Sequence, residues 1–272
     1  MENKIPVRFF ITTFMCSWLF LIPCIILIRT GIIVQGSSLY LALQVIAGFF
    51  VVLGPAVGAF TSICSIEGKG AIKIFIRKFL SLNFGWKIWL AIFFVPAFFS
   101  FFAWIIPEFF GEARLSSNLP NIYIFPIYLL FCIFLSGGLE EIGWRGYIMP
   151  YLEKRFGLII GSLLLGIIWA IWHLPLWFIP GTPQAYMNFF MFMFVCIAYS
   201  YFFSWIIKAS GNRLFSGMVA HGVVNAFLAL FPFVNMSEGA KQPRFWIYCI
   251  SFLVVGIIIT IIRTCKSRKY GT

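Results

Sequence analysis

The feature that most constrains the fold is a succession of long apolar runs separated by short polar connections. The runs cover roughly residues 7–28, 38–63, 88–106, 122–142, 158–178, 189–207, 214–233 and 246–262. A helix needs about 20 apolar residues to cross a bilayer, which is close to the length of most runs. Hydrophobic residues make up 62% of the chain and charged residues 10%, against about 25% charged residues in a soluble domain. The pattern therefore predicts an all-α polytopic membrane protein with about eight transmembrane helices.

No internal repeat or low-complexity stretch interrupts this pattern, so residues 1–272 are interpreted as a single membrane domain. The first run, 7–28, is as long as a full span and lacks a small-residue cleavage site, which favours a span over a cleaved signal peptide. Residues 65–87 are predicted to contain a basic amphipathic segment that lies on the membrane surface. Its apolar face would carry Ile72, Ile76 and Phe79, and its opposite face Lys73, Arg77 and Lys78.

The basic residues predict the orientation in the membrane. Successive loops of a polytopic protein lie on opposite sides of the membrane. Of the twenty Lys and Arg residues, fifteen lie in the loops and tails on the same side as the termini, and Arg145 belongs to neither side. The four on the other side are Arg29, Arg114, Lys241 and Arg244. Because basic residues concentrate in cytosolic loops, both termini are predicted to face the cytosol. Topology and contact with anionic membrane lipids thus account for the net charge of +12 without a nucleic-acid partner.

Polar side chains occur at three places in or beside the apolar runs. They are Glu140, Glu141 and Arg145 at the end of the fourth run, His173 in the fifth, and His221 with Asn225 in the seventh. An ionisable side chain near the bilayer centre costs about 2.5–3.5 kcal/mol and usually has a functional reason. Each group alone has a structural explanation, as a helix end or as an interhelical hydrogen bond. Together they predict a functional site.

The spacing of these residues suggests how they would be used. Glu141 and Arg145 are four residues apart, which favours an ion pair on one helix face and leaves Glu140 without a partner. His221 and Asn225 also share one helix face. A carboxylate, an imidazole and a donor pair are the components needed to activate water and to stabilise an oxyanion. The chain contains no Asp, which excludes proteolysis by paired aspartates, and no recognisable Ser or Cys nucleophile motif.

The three motifs, EExxWRG at 140–146, WxxxH at 169–173 and HxxxN at 221–225, resemble those of the CPBP family. This is the CAAX-protease and bacteriocin-processing group, also called Abi. The resemblance covers a catalytic core of about 122–233 and implies eight helices with cytosolic termini. Trp169 stands where the family usually has Phe, and we interpret it as preserving the aromatic packing.

The resemblance implies a glutamate-type intramembrane endopeptidase of the CAAX prenyl protease type, with no cofactor. It implies roles for six residues: Glu140 and His173 position and deprotonate water, His221 and Asn225 hold the oxyanion, and Glu141 and Arg145 support the site. The partners would be membrane lipids and a peptide or protein substrate, for which a prenylated C-terminal tail is one candidate. The location would be the cell membrane in a prokaryote and the endoplasmic reticulum in a eukaryote.

Two alternatives remain open on sequence grounds. One is a zinc-dependent version of the protease, because a Glu with two His is a zinc-compatible ligand set, although no HExxH motif is present. The other is a non-catalytic Abi-type immunity or scaffold protein with the same fold. Helix lengths also pose a geometric problem, since they place Glu140 near the cytosolic surface and His173 about 22 Å from it. The two can meet only if the fourth span is tilted or bent, for which Gly137 and Gly138 are the candidates, and if the fifth span begins with an interfacial turn.

Overall fold

The computed structural model describes residues 6–77 and 81–270, and every regular element within these ranges is helical. The α-helices are α1 (Val7–Arg29), α2 (Ser38–Ile66), α3 (Lys69–Arg77), α4 (Trp86–Ile105), α5 (Phe125–Phe134), α6 (Glu140–Gly143), α7 (Met149–Trp172), α8 (Phe189–Ala209), α9 (Leu214–Leu230) and α10 (Pro243–Tyr270). Short 3₁₀-helices and one π-helix connect several of them. The all-α prediction is confirmed for the described residues.

Among the described residues, five helical stretches are long and apolar enough to cross a membrane. They are Val7–Arg29, Ser38–Ile66, Trp86–Phe110, Ile122–Phe178 and Phe189–Ala209. The helices Leu214–Leu230 and Pro243–Ile258 are also apolar but shorter. These helices support a polytopic membrane protein, whereas the count of eight spans and the cytosolic location of the termini stay predictions.

The fourth predicted span differs most from the structure. Helix α5 ends at Phe134, a 3₁₀ turn covers Gly137–Leu139, and a new helix begins at Glu140. It continues through a π-helix, Trp144–Ile148, into α7. Gly138 packs so closely against the carbonyl oxygen of Ile133 that a side chain there would overlap it. The prediction that Glu140 closes a span is therefore wrong, because it opens the next helix.

Helix α7 folds back on itself at Gly157, and we call the segment from Glu140 to His173 the Gly157 hairpin. Gly157 has φ 78° and ψ 168°, a conformation that is essentially restricted to glycine. The two arms lie side by side, since a Cβ built on Gly161 would be 3.2 Å from backbone atoms of Leu152 and Glu153. The predicted connection between 142 and 158 is thus mostly helix.

This hairpin resolves the geometric problem that the sequence posed. Glu140 stands 17 residues before Gly157, and His173 stands 16 residues after it. At about 1.5 Å per residue, both lie about 25 Å from the turn. The expectation placed Glu140 next to the connection between two spans, whereas nearly five helical turns separate it from the turn at Gly157.

The connections gather at two ends of the molecule, as alternate counting of the loops predicts. At the end that we call the basic end, Lys208 pairs with Glu153 at 2.7 Å, and the Nε of Arg213 donates to the Oγ of Ser81 at 2.8 Å. These contacts join the arm that leads to Gly157 to the end of α8, and the connection that precedes α9 to the one that precedes α4.

The opposite end, which we call the far end, contains the four remaining basic residues. The Nε of Arg29 donates to the carbonyl oxygen of Phe178 at 3.0 Å. Arg244 is buried and donates to the carbonyl oxygens of Trp104 and Ala113 at 2.9 and 2.8 Å. The connection between α7 and α8 is therefore tied to α1, and the connection between α4 and α5 is tied to α10.

Helix α3 lies within the predicted amphipathic segment, with a different face turned inwards. Phe75 is buried, with its ring 5.8 Å from that of Phe60, whereas Ile76 is 39% exposed. Lys78 and Phe79 of the predicted faces lie outside the described residues. The position of α3 at the membrane surface stays a prediction.

Candidate active site

A cavity of about 520 Å³ lies inside the helical bundle and brings together four of the predicted site residues. Glu140, His173, His221 and Asn225 all line it. They come from the start of α6, the residue that caps α7, and the middle of α9. The volume lies within the range of about 300–1,000 Å³ that is usual for ligand sites.

Glu140 is buried and has a hydrogen-bond partner that was not predicted. The indole Nε1–H of Trp169 donates to its Oε2 at 2.7 Å. The expectation that Glu140 lacks a partner is therefore wrong. Trp169 does more than preserve aromatic packing, because a Phe in its place would have no N–H to donate.

Trp169 also orients His173 through its backbone. The Nδ1 of His173 lies 2.8 Å from the carbonyl oxygen of Trp169. Because a carbonyl oxygen can only accept, Nδ1 must be the donor in this bond. The Nε2 of a neutral His173 is then a hydrogen-bond acceptor. One residue thus positions both the carboxylate and the imidazole that the sequence analysis paired.

The predicted ion pair between Glu141 and Arg145 is present and fully buried. The Nη1 of Arg145 donates to the Oε1 of Glu141 at 3.0 Å. The same carboxylate oxygen accepts a bond from the Nδ1 of His221 at 2.8 Å. The Arg145 guanidinium also stacks over the rings of Trp169 and Phe203, at 4.6 and 5.2 Å. The pair therefore fixes the ring of His221 while its charges offset each other.

His221 and Asn225 reach the same small space beside Gly137. A Cβ built on Gly137 would overlap the Nε2 of His221 and the Nδ2 of Asn225. The two nitrogen atoms therefore converge on one point, which only a residue without a side chain can approach. Gly137 was predicted as a candidate bend, and its role as part of the wall of the site was not predicted.

The glutamate and histidine side chains at this site are of the kinds that bind zinc. Both histidines use Nδ1 to bond an oxygen acceptor, which is also the usual arrangement for histidines that ligate zinc through Nε2. In the described part of the chain, however, no three His, Cys, Asp or Glu side chains are grouped closely enough to hold one metal ion.

Further cavity residues were not predicted, because isolated polar residues in loops carry no distinctive sequence signal. They are Gln44, Asn118, Tyr128, Thr182 and Gln184. Apart from Tyr128, which lies in α5, and Gln44, which lies in α2, they belong to far-end connections.

Comparison with known proteins adds evidence that is independent of the geometry. Residues 122–227, which include all six predicted site residues, match the family described as type II CAAX prenyl endopeptidase Rce1-like. The chain is also 43% identical over 56 residues to CAAX prenyl protease 2 of Methanococcus maripaludis, and the match covers 21% of each protein. The chain thus spans about a fifth of the length of the curated relative that it matches. With several apolar helices it is an integral membrane protein, and its residues 122–227 are similar to the type II CAAX prenyl endopeptidase Rce1-like family.

Proposed function

We propose that the protein is an intramembrane endopeptidase of the CAAX prenyl protease type, in which Glu140 and His173 activate a water molecule. The observation that carries this proposal is the convergence of a carboxylate, two imidazoles and an amide on one cavity. The family match and the name of the archaeal relative support the same activity. They also support a peptide or protein as the substrate, with a prenylated C-terminal tail as one candidate.

The attack on the peptide bond follows from the hydrogen-bonding capacity of the two residues. Glu140 has one carboxylate oxygen bonded to Trp169, so its other oxygen can accept from water. The Nε2 of His173 is a second acceptor. A water that donates both hydrogens to these acceptors directs its lone pairs at the substrate carbonyl carbon. As the new C–O bond forms, the water proton passes to Glu140 and then to the departing amine nitrogen. General base catalysis of this kind contributes about 10²–10⁴ in rate.

The negative oxygen that forms on the substrate would be held by His221 and Asn225. Asn225 donates through its amide. His221 already uses its Nδ1 proton on Glu141, so it can donate through Nε2 only when its ring is protonated. In that state the negative charges of Glu140 and Glu141 balance the positive charges of Arg145 and His221. A net charge of zero is the favourable condition for a buried cluster. Such donors contribute about 10²–10³ in rate.

The zinc-dependent version is the second candidate, favoured by one observation. Its ligands would be Glu140 and the Nε2 atoms of His173 and His221, whose rings already have the supporting Nδ1 bonds, but among the described residues these side chains are not grouped closely enough to hold one metal ion. Bound zinc would supply Lewis-acid chemistry, and the same residues would then be ligands. The two versions differ in their response to chelation.

The proposal is tested by replacing Glu140 with Gln in the purified, detergent-solubilised protein. The amide keeps an oxygen for the Trp169 N–H, so Glu140→Gln should fold while losing cleavage of prenylated and unprenylated peptides, measured by mass spectrometry. Glu153→Gln makes the same chemical change at the basic end and should retain cleavage. Undiminished cleavage by Glu140→Gln would refute the mechanism. An unaltered chain that binds these peptides without cleaving them would favour the non-catalytic alternative.

A further inference from the structure

A second cavity lies at the basic end, where the end of α2 meets α3, and we call it the α3 groove. It has a volume of about 550 Å³ and is lined by Cys64, Lys69, Ile72, Lys73, Ile76 and Arg77. Cys64 belongs to the last turn of α2, and the other five residues belong to α3. None of these residues lines the cavity that contains Glu140, so the α3 groove is separate from the candidate active site.

The side chains of α3 that line the groove form two stripes of different chemistry. Lys69, Lys73 and Arg77 are spaced four residues apart, so they follow one another along one helix face and form the basic stripe. Ile72 and Ile76 are also four residues apart and form the apolar stripe beside it. The groove therefore has a positively charged border and a hydrocarbon wall next to each other.

Packing on the other face of α3 fixes the direction in which the stripes point. Phe75 is 5% exposed, and its ring lies 5.8 Å from that of Phe60 in α2. A Cβ built on Gly146 would lie 3.1 Å from the Cζ of Phe75. Gly68, with φ 83°, allows the sharp turn between α2 and α3. Helix α3 is thus anchored through Phe75, which leaves the basic stripe on the outside of the protein.

The charges of the basic stripe are available to a ligand. Lys69, Lys73 and Arg77 are exposed, and none of the ion pairs between described residues involves them. No Asp or Glu is found among the described side chains that line the groove. Three positive charges beside an apolar wall complement a molecule that has an anionic head and a hydrocarbon tail. In a membrane that molecule is an anionic phospholipid, whose headgroup is attracted by Lys and Arg near the surface.

We propose that the α3 groove binds an anionic phospholipid, with the lipid phosphate held by the basic stripe and an acyl chain lying against Cys64 and the apolar stripe. The predicted cytosolic location of the basic end agrees with this ligand, because anionic lipids give the cytosolic leaflet its negative surface potential. The inference concerns binding alone, so it does not depend on whether the chain cleaves peptides.

Native mass spectrometry of the purified full chain tests the headgroup contact. The probe is phosphatidylglycerol, and phosphatidylcholine with the same acyl chains is the uncharged comparison. Lys73→Gln combined with Arg77→Gln should weaken phosphatidylglycerol binding about 25-fold, since each basic residue near the surface accounts for about fivefold. Phosphatidylcholine binding should be weaker in the unaltered chain and should not change in the variant.

The matched control removes the same charge elsewhere at the basic end. Arg8→Gln combined with Lys154→Gln changes two exposed residues outside the groove and should leave phosphatidylglycerol binding unchanged. Equal losses in the two double variants would overturn the proposal, because the binding would then reflect overall charge. Equal binding of the two lipids by the unaltered chain would also overturn it. Size-exclusion chromatography checks folding, and Lys73→Gln alone should still weaken binding about fivefold.

Photolabelling tests the acyl-chain contact and separates a lipid from free phosphate. A phosphatidylglycerol with a diazirine group in its acyl chain should crosslink to Cys64, Ile72 or Ile76, as mapped by mass spectrometry of the digested protein. Excess unlabelled phosphatidylglycerol should suppress the crosslink, whereas glycerol 3-phosphate at the same concentration should not, because it has the phosphate without the acyl chain. Equal suppression by glycerol 3-phosphate would overturn the lipid assignment, and crosslinks found only outside residues 64–77 would overturn the site.

Discussion

Replacing Trp169 with Phe isolates one hydrogen bond at the centre of the site. The substitution keeps an aromatic ring beneath the Arg145 guanidinium, which lies 4.6 Å from the Trp169 ring. It also keeps the backbone carbonyl that accepts from His173. What it removes is the indole N–H that donates to Glu140 at 2.7 Å. The expected effect is therefore a less well-positioned carboxylate in an otherwise similar site.

The size of the effect follows from the kind of bond that is lost. A hydrogen bond to a charged group contributes about 1.5–3 kcal/mol, and each 1.4 kcal/mol corresponds to about a factor of ten in rate. If the bond serves to orient Glu140 in the transition state, Trp169→Phe should lower kcat by about 10–100-fold. KM should change little, because the indole N–H is already used within the protein and does not contact substrate.

Trp172→Phe is the matched control for this experiment. Trp172 is equally buried, and its indole N–H donates to the Oγ of Ser17 at 3.0 Å, away from Glu140. Both variants lose one buried hydrogen bond and similar volume, so thermal unfolding should show similar losses of stability. Steady-state peptide cleavage should show the large fall in kcat for Trp169→Phe alone. Equal falls in both variants would mean that Trp169 acts through packing, and an unchanged kcat in Trp169→Phe would refute its role in positioning Glu140.

Three further predictions address other contacts of the site. Arg145→Met should lower the yield of folded protein in size-exclusion chromatography, because leaving Glu141 buried without its ion partner costs about 3–5 kcal/mol; a yield equal to that of Glu140→Gln would contradict this. Gly137→Ala should fold but should lose cleavage activity, because the new methyl group displaces His221 and Asn225. Gly138→Ala should misfold, because its methyl group meets the backbone of Ile133. Full activity in Gly137→Ala would contradict the convergence of the His221 and Asn225 nitrogen atoms on one point. Asn225→Ala should lower kcat by about 10²–10³. The unaltered enzyme should remain active after exhaustive chelation. If each chain instead holds one tightly bound zinc ion that is needed for activity, this prediction is refuted.

The sequence predicted those parts of the site that depend on local spacing. Glu141 with Arg145, and His221 with Asn225, are each separated by one helical turn, so their relative placement requires only that the helix forms. The apolar runs also located most helices within a few residues, as for α1, α8 and the start of α9. These features are encoded by neighbouring residues and do not depend on distant contacts.

The parts that the sequence did not predict depend on long-range packing. Lys154 and Arg155 were predicted to lie in a loop between two spans, whereas they lie in a helix that continues to Gly157. The break before Glu140 depends on close contacts of Gly138 with Ile133 and Met218. The bond from Trp169 to Glu140 joins residues 29 positions apart, and its existence depends on how the Gly157 hairpin folds.

The Gly157 hairpin also determines the order in which the site can be assembled during synthesis. Glu140, Trp169 and His173 belong to one continuous stretch, so their mutual contacts involve a short loop and form at low entropic cost. His221 leaves the ribosome 48 residues after His173, and Glu141 and Arg145 are therefore inserted before their third partner exists. Their ion pair offsets the two charges during this interval, and α9 then docks its imidazole against a carboxylate that is already held in place.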